Sequence, residues 1–326
     1  MLSNDRFLEL VHGCVQAKED GEYITFYRCN DYQINHTAFE EFYYVRSKFS
    51  ASIKFEFYTE ATKFGFDMRK VLVGSSDSFD LYVDNVAYEF LDFESLADEC
   101  SISFNLPIGK KHVTLYLPND SEIQFKNFWI DGNYEPVPLR EKTMICYGDS
   151  ITHGFGSYKA GFTYVHAMNR QMNFNVYNHG IGGYWYDENY ISKLDGIDPD
   201  YILVSLGTNQ MRSSDKYDRI DKFYENLSKT FPEAIVFVVT PIWRCDIPDA
   251  MELIVDMRDY IFNKFKDSKN IHVIDGLTLV PNIDYFFSDK LHPNAIGMEY
   301  YGNNLAKEIK NILKNLNLLI NQNDFY

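Results

Sequence analysis

The stretch Thr143-Met144-Ile145-Cys146-Tyr147-Gly148-Asp149-Ser150-Ile151-Thr152 decides the fold. Residues 144–147 form an unbroken apolar run, too short for a helix, that stops at the small polar turn Gly148-Asp149-Ser150. A strand that is apolar on both faces belongs inside a sheet covered on both sides. Further short strand-like runs follow at residues 175–178, 201–206, 234–240 and 271–274. Helical periodicity fills the intervals at 163–172, 216–230 and 250–266, and a last helix is predicted over 295–316. Strands alternating with helices imply a parallel sheet of the α/β class. In such sheets, ligands bind beyond the carboxyl ends of the strands.

Upstream of residue 138 the pattern is different. Short strands are predicted at 22–28, 42–49, 52–58, 79–83, 86–90, 101–106, 111–117 and 123–129. Turn signals such as Asp84-Asn85, Pro107-Ile108-Gly109 and Pro118-Asn119-Asp120 separate several of them. This spacing predicts an antiparallel β-sandwich of jelly-roll type. The 25 Tyr and 26 Phe residues fit such a β-rich region. Tyr134-Glu135-Pro136-Val137-Pro138 lacks periodicity and is read as a stiff linker. The expected domains are therefore 1–138 and 139–326 of the 326 residues.

A net charge of −16 argues against nucleic acid and anionic membrane as partners, because phosphate contacts need clustered Lys and Arg. No basic patch is evident along the chain. The five cysteines are scattered and odd in number, which fits free thiols in a reducing compartment. The first 20 residues lack the apolar core of a signal peptide, and no run is long enough to span a bilayer. A cytoplasmic location is expected. The sequence has no clustered metal-ligand spacing, no Gly-x-Gly-x-x-Gly and no P-loop, so neither metal nor cofactor is expected.

Four polar clusters carry the chemistry. They are Gly148-Asp149-Ser150, Asn178-His179-Gly180-Ile181-Gly182-Gly183, Gly207-Thr208-Asn209 and Asp289-Lys290-Leu291-His292. Acyl transfer needs a hydroxyl nucleophile, a base, a carboxylate to orient that base, and donors for the developing oxyanion. The four clusters supply all of these. Singly, Asp149 and Ser150 read as helix caps and Asn209 as a turn residue. His153 and His179 flank the clusters and either contact substrate or support loops. Arg212 and Arg244 read as ion-pair formers, and Asp275 as a partner for backbone amides.

In this order and with these motifs, residues 143–310 resemble the SGNH (GDSL) hydrolase superfamily. Ser78-Phe79-Asp80-Leu81-Tyr82 is similar to the Gly-x-Asp-Leu-Tyr signature of an N-terminal sandwich in some of these esterases, with Ser at the leading position. The resemblance implies a flavodoxin-like three-layer α/β/α domain. It implies Ser150 as nucleophile, His292 as base and Asp289 as the residue that orients it. It implies an oxyanion hole from the Ser150 and Gly183 amides and the Asn209 side chain, with the adjacent Gly182 leaving the register open by one. His179, Gly182 and Trp243 are candidates for the substrate pocket. The implied substrate is a small-molecule or oligosaccharide ester, first a short-chain acetyl ester on a carbohydrate. An O-acyltransferase and a carbohydrate-binding protein with an inactive hydrolase domain are the alternatives. A homo-oligomer is compatible with the pattern.

Overall fold

The computed structural model describes residues 1–75 and 77–318. The first half contains α1 (Asn4–Leu8), β1 (Val11–His12), β2 (Gln16–Asp20), β3 (Tyr23–Tyr27), α2 (Asp31–His36) and α3 (Glu41–Ser47). Then come β4 (Lys54–Thr59), β5 (Lys63–Val73), β6 (Ser78–Val83), β7 (Val86–Asp92) and β8 (Glu99–Asn105). The half closes with β9 (Lys111–Tyr116), β10 (Ser121–Ile130) and β11 (Tyr134–Pro136). Its strands make two antiparallel sheets, β1-β4-β9-β6-β7 with β11 on β4, and β2-β3-β10-β5-β8. The core between them is largely aromatic: Phe7 stacks on Phe128 at 4.5 Å, and Phe55 and Phe66 each meet Phe125 edge-on. Edge-to-face pairing suits the ring quadrupole, so the aromatic excess is core material here.

The second half contains β12 (Thr143–Gly148), α4 (Ser150–His153), α5 (Tyr164–Met172), β13 (Asn175–Gly180) and β14 (Tyr201–Ser205). It continues through α6 (Lys216–Thr230), β15 (Ile235–Val239), α7 (Ala250–Phe265), β16 (Ile271–Ile274) and α8 (Ala295–Asn315). All five strands pair in parallel in the order β13-β12-β14-β15-β16. Counted within the sheet this is 2-1-3-4-5, the flavodoxin-like doubly wound order. Apolar clusters cover both sheet faces. One includes Ile202, Phe223 and Ile254 under α6 and α7, the other Leu203, Met168 and Leu305 under α5 and α8. The crevice lies where the chain leaves β12 to either side, beyond the carboxyl ends of β12, β13 and β14.

Two expectations need correction. Residues 42–49 are not a strand, because Glu41–Ser47 is a helix. Its aromatic content suggested pleated structure, but Phe42 and Arg46 are four residues apart and share a helical face. Tyr43 packs edge-on against Trp185 of the second half at 5.1 Å. Nor is the whole of 134–138 a linker: Tyr134–Pro136 pairs with β4 as an edge strand, where Pro is tolerated. The strands Gln16–Asp20 and Lys63–Val73 and the helix α2 were not anticipated. The α2 helix begins at Asn30 with a reciprocal capping box to Gln33, a signal present in the sequence.

Candidate active site

Ser150 opens α4 directly after β12, and it is 7% exposed. Asp149 caps that helix by accepting from Ile151 N at 3.0 Å, as its sequence context suggested. Ser150 is the first residue of that helix, where backbone N–H groups have no helical partner. Burial pushes the Asp149 carboxyl up to about 6, against the backbone hydrogen bond from Ile151.

Asp289 and His292 sit in the loop before α8. Asp289 Oδ1 accepts from Leu291 N at 3.1 Å and from His292 N at 2.7 Å, closing a tight turn. The Ser288 amide donates to the His292 carbonyl, and the Cys245 amide anchors the loop through the Lys290 carbonyl. This holds the imidazole between two oxygens. His292 Nδ1 is 2.7 Å from Asp289 Oδ2, and His292 Nε2 is 2.7 Å from Ser150 Oγ. Burial would raise the Asp289 carboxyl, but hydrogen bonds from the His292 amide and ring and from Leu291 hold it below the usual range. It is therefore a carboxylate at neutral pH, able to accept from Nδ1–H.

The remaining predicted groups fall around this relay. Gly182 N donates to His153 Nδ1 at 3.3 Å, so that amide is engaged. Gly183 has φ +82°, in the left-handed region where glycine is favoured, and its amide meets no acceptor among the described residues. Asn209 is exposed, and its Nδ2 donates to the Tyr184 carbonyl at 2.9 Å. A primary amide has two N–H groups, so one remains for a ligand.

The candidate pocket residues divide. His179 is 1% exposed, and its Nδ1 lies 2.9 Å from Gln33 Nε2 beneath the site. It is enclosed between β13 and α2 and does not line the open crevice, which corrects its place among the pocket residues. Burial takes its pKa down to about 3, so the ring is neutral. Gly182 is buried under side chains described below. Trp243 is half-buried and its indole N–H donates to the Leu277 carbonyl at 2.7 Å. His153 is fully buried and ties Gly182 N to the Asn119 carbonyl of the sandwich half. Arg212 pairs with Asp249, Arg244 with Asp246, and Asp275 accepts from Leu277 N and Arg258.

The sequence reading did not foresee how far the first half enters this site. The Asp80 carboxylate of β6, in the Ser78–Tyr82 motif, accepts from Gly161 N at 2.8 Å. Arg28 is fully buried and donates to the carbonyls of Phe49, Asn178 and Arg46 at 2.8, 2.7 and 2.8 Å. It joins β3, α3 and β13 through main-chain acceptors. Phe42, Tyr43 and Arg46 of α3 reach the Gly182-Gly183 turn: a Cβ built on Gly183 would meet Phe42 at 3.0 Å. Reading residues 41–47 at helical spacing would have put Phe42 and Arg46 on one face, but would not have shown its target.

Comparison with known proteins agrees with this architecture. Residues 146–300 match the sequence model of the GDSL-like lipase/acylhydrolase family. No curated protein matches the sequence. Among solved structures, a putative GDSL-like lipase from Bacteroides ovatus is similar with a TM-score of 0.74 at 18% identity, covering 94% of this chain and 96% of that one. A salicylyl-acyltransferase from a tetracycline biosynthetic pathway is similar with a TM-score of 0.74 at 17% identity, covering 93% and 94%. A family two carbohydrate esterase from Clostridium thermocellum is similar with a TM-score of 0.65 at 16% identity, covering 82% and 93%. Their coverage spans both halves, so the sandwich and the α/β domain occur together in those folds.

Proposed function

We propose, from the premise that residues 146–300 form the GDSL-like lipase/acylhydrolase domain of a carboxylic ester hydrolase, that the chain cleaves esters through an acyl-enzyme on Ser150. The observation that carries this is the relay from Ser150 Oγ to His292 Nε2 and from His292 Nδ1 to Asp289, each step 2.7 Å. Ser150 Oγ attacks the ester carbonyl as its proton passes to His292 Nε2. The negative charge on the carbonyl oxygen is met by the Ser150 and Gly183 amides and the free N–H of Asn209. His292 returns the proton to the departing alkoxide, water then attacks the acyl-enzyme through the same base, and Ser150 is regenerated. Asp289 holds the Nδ1–H tautomer and offsets the imidazolium charge.

The exposure of Asn209 and Asp289 at the edge of the site supports hydrolysis over transfer to another alcohol, since a closed, dry acceptor pocket would favour transfer. The substrate we favour is a short acyl group, first acetyl, on a carbohydrate, in keeping with the fold shared with carbohydrate esterases. The complete set of reacting groups argues against an inactive domain that only binds sugar. The test is hydrolysis of 4-nitrophenyl acetate, butyrate and octanoate and of acetylated sugars by wild type and Ser150→Ala. Turnover that vanishes in the variant supports the reading. Equal turnover by both proteins refutes it, and dominant ester exchange with an added sugar acceptor would make the protein a transferase.

A further inference from the structure

We propose that Arg46 is the specificity residue for a carboxylate carried by the substrate. This rests on the reading of Ser150 as nucleophile only in placing the reacting ester beside it. The α3 helix is held down at its C-terminal end because Arg28 Nη2 donates to the Arg46 carbonyl. From there the Arg46 side chain runs between two rings, with its guanidinium carbon 3.7 Å from the Phe42 centroid and 4.7 Å from that of Phe155. Phe155 also packs 6.1 Å from the His292 ring. A Cβ built on Gly182 would fall 2.5 Å from Arg46 Nη1 and 2.8 Å from Phe155 Cε2. The cation therefore lies against the turn that supplies the Gly183 amide.

Among the described residues no carboxylate forms an ion pair with this charge, although the field of Asp120 reaches it. The other arginines around the site are engaged: Arg28 with main-chain carbonyls, Arg212 with Asp249, Arg244 with Asp246. Arg46 is half-buried, and no described carboxylate or carbonyl accepts from its guanidinium. The acid whose field reaches it, Asp120, accepts from Ser75 N and Ser75 Oγ through Oδ2, and its Oδ1 lies 3.7 Å from His153 Nε2. A planar guanidinium fixed between aromatic faces keeps its in-plane N–H fork available, and that fork matches a carboxylate bidentately. Stacking supplies rigidity without using the donors. In a chain of net charge −16, an anionic substrate is otherwise repelled, so one oriented cation against the Gly182-Gly183 turn gives selection as well as attraction.

The rival explanation is that the Phe42–Arg46–Phe155 stack only clamps α3 to the catalytic loop. Two measurements on the full chain separate them. Ligand-observed NMR compares benzoate with benzamide on wild type, Arg46→Gln and Arg46→Lys. Selective benzoate binding, weakened roughly tenfold or more in Arg46→Gln and only partly restored in Arg46→Lys, is the expected result. Equal binding of acid and amide, or benzoate binding indifferent to Arg46→Gln, overturns the proposal. Kinetics then locate the carboxylate. The acyl arm compares 4-nitrophenyl hydrogen glutarate with 4-nitrophenyl butyrate, and the alcohol arm compares 4-acetoxybenzoate with 4-acetoxybenzamide. In one arm the kcat/KM ratio of anionic to neutral ester should fall roughly tenfold in Arg46→Gln. A variant that lowers both members of each pair equally is a broken clamp, and the proposal fails. Ser150→Ala abolishing neither turnover nor benzoate binding would sink the nucleophile assignment while leaving Arg46 supported.

Discussion

At Asn209 one amide N–H braces a loop through the Tyr184 carbonyl, and the second is the donor proposed for the oxyanion. Asn209→Ala should lower kcat about 10²–10³-fold with little change in KM, the usual cost of one oxyanion donor. Steady-state kinetics on 4-nitrophenyl acetate check it, and a change confined to KM would assign Asn209 to substrate binding instead. Asp289 accepts from two backbone amides as well as from His292. Asp289→Asn would place an amide N–H where an acceptor is required, leaving the imidazole in the wrong tautomer. A fall in kcat of about 10⁴-fold is expected, and near-wild-type kcat would show that the turn, not the carboxylate, orients the ring. Both residues could be proposed from the sequence because acyl transfer restricts residue type and because their motifs resemble those of SGNH hydrolases. His179 was misplaced because its neighbour in the crevice, Gly183, faces the open side while His179 faces Gln33.

At the scale of elements, the strands of the second half were readable as short unbroken apolar runs, and its long helices because each is long enough to show its period. The predicted helix at 216–230 coincides with Lys216–Thr230, whose buried Ile220, Phe223, Tyr224 and Leu227 follow helical spacing. The short α3 helix was not readable. In seven residues a cluster of aromatics satisfies strand and helix templates alike, and tertiary stacking on Trp185 and Phe155 decides. Arg28 is what docks this element. Arg28→Ala would leave three main-chain carbonyls without their charged donor in a buried setting, at a cost of about 3 kcal/mol or more. Denaturant unfolding should show that loss, and esterase activity should fall with it because α3 borders the Gly182-Gly183 turn. Unaltered stability would mean that water replaces the guanidinium and that α3 is held by its aromatic contacts.

For the molecule as a whole, acid should be the destabilising direction well before carboxylates protonate. Burial takes His12 down to about 4 and His179 to about 3, and it holds His153 and His166 well below their ordinary value. Unfolded histidines titrate near 6.5, so between there and the folded values the unfolded chain binds more protons than the native one. Stability is then full above about pH 6.5 and falls as pH drops, by about 1.4 kcal/mol per pH unit for each such histidine. Glu56 acts in the same direction at lower pH. Burial would raise it, but Lys54, His112 and Arg140 together hold it well below the usual range, so its contribution is lost as it protonates. Melting temperatures at pH 7.5, 6.0 and 5.0 should therefore decrease steadily, and a flat profile over that range would show that the histidines reach solvent.

The sequence alone determined the class of both domains, the alternation of strands and helices that puts polar clusters after strands, and the identity of the groups that could react. Periodicity records local structure, and acyl-transfer chemistry admits few residue types, so both leave a trace in a single chain. Tertiary structure decided which amide of the Gly182-Gly183 pair is unengaged, that His179 is enclosed, and that residues 42–46 of the sandwich half border the crevice. It also supplied a cation where the linear sequence shows no basic patch. Arg46 stands more than 100 positions from Gly182 in sequence, and only packing of α3 across the domain boundary brings its guanidinium to that turn. Contacts of this kind depend on how two halves dock, which no local pattern of apolar and polar residues encodes.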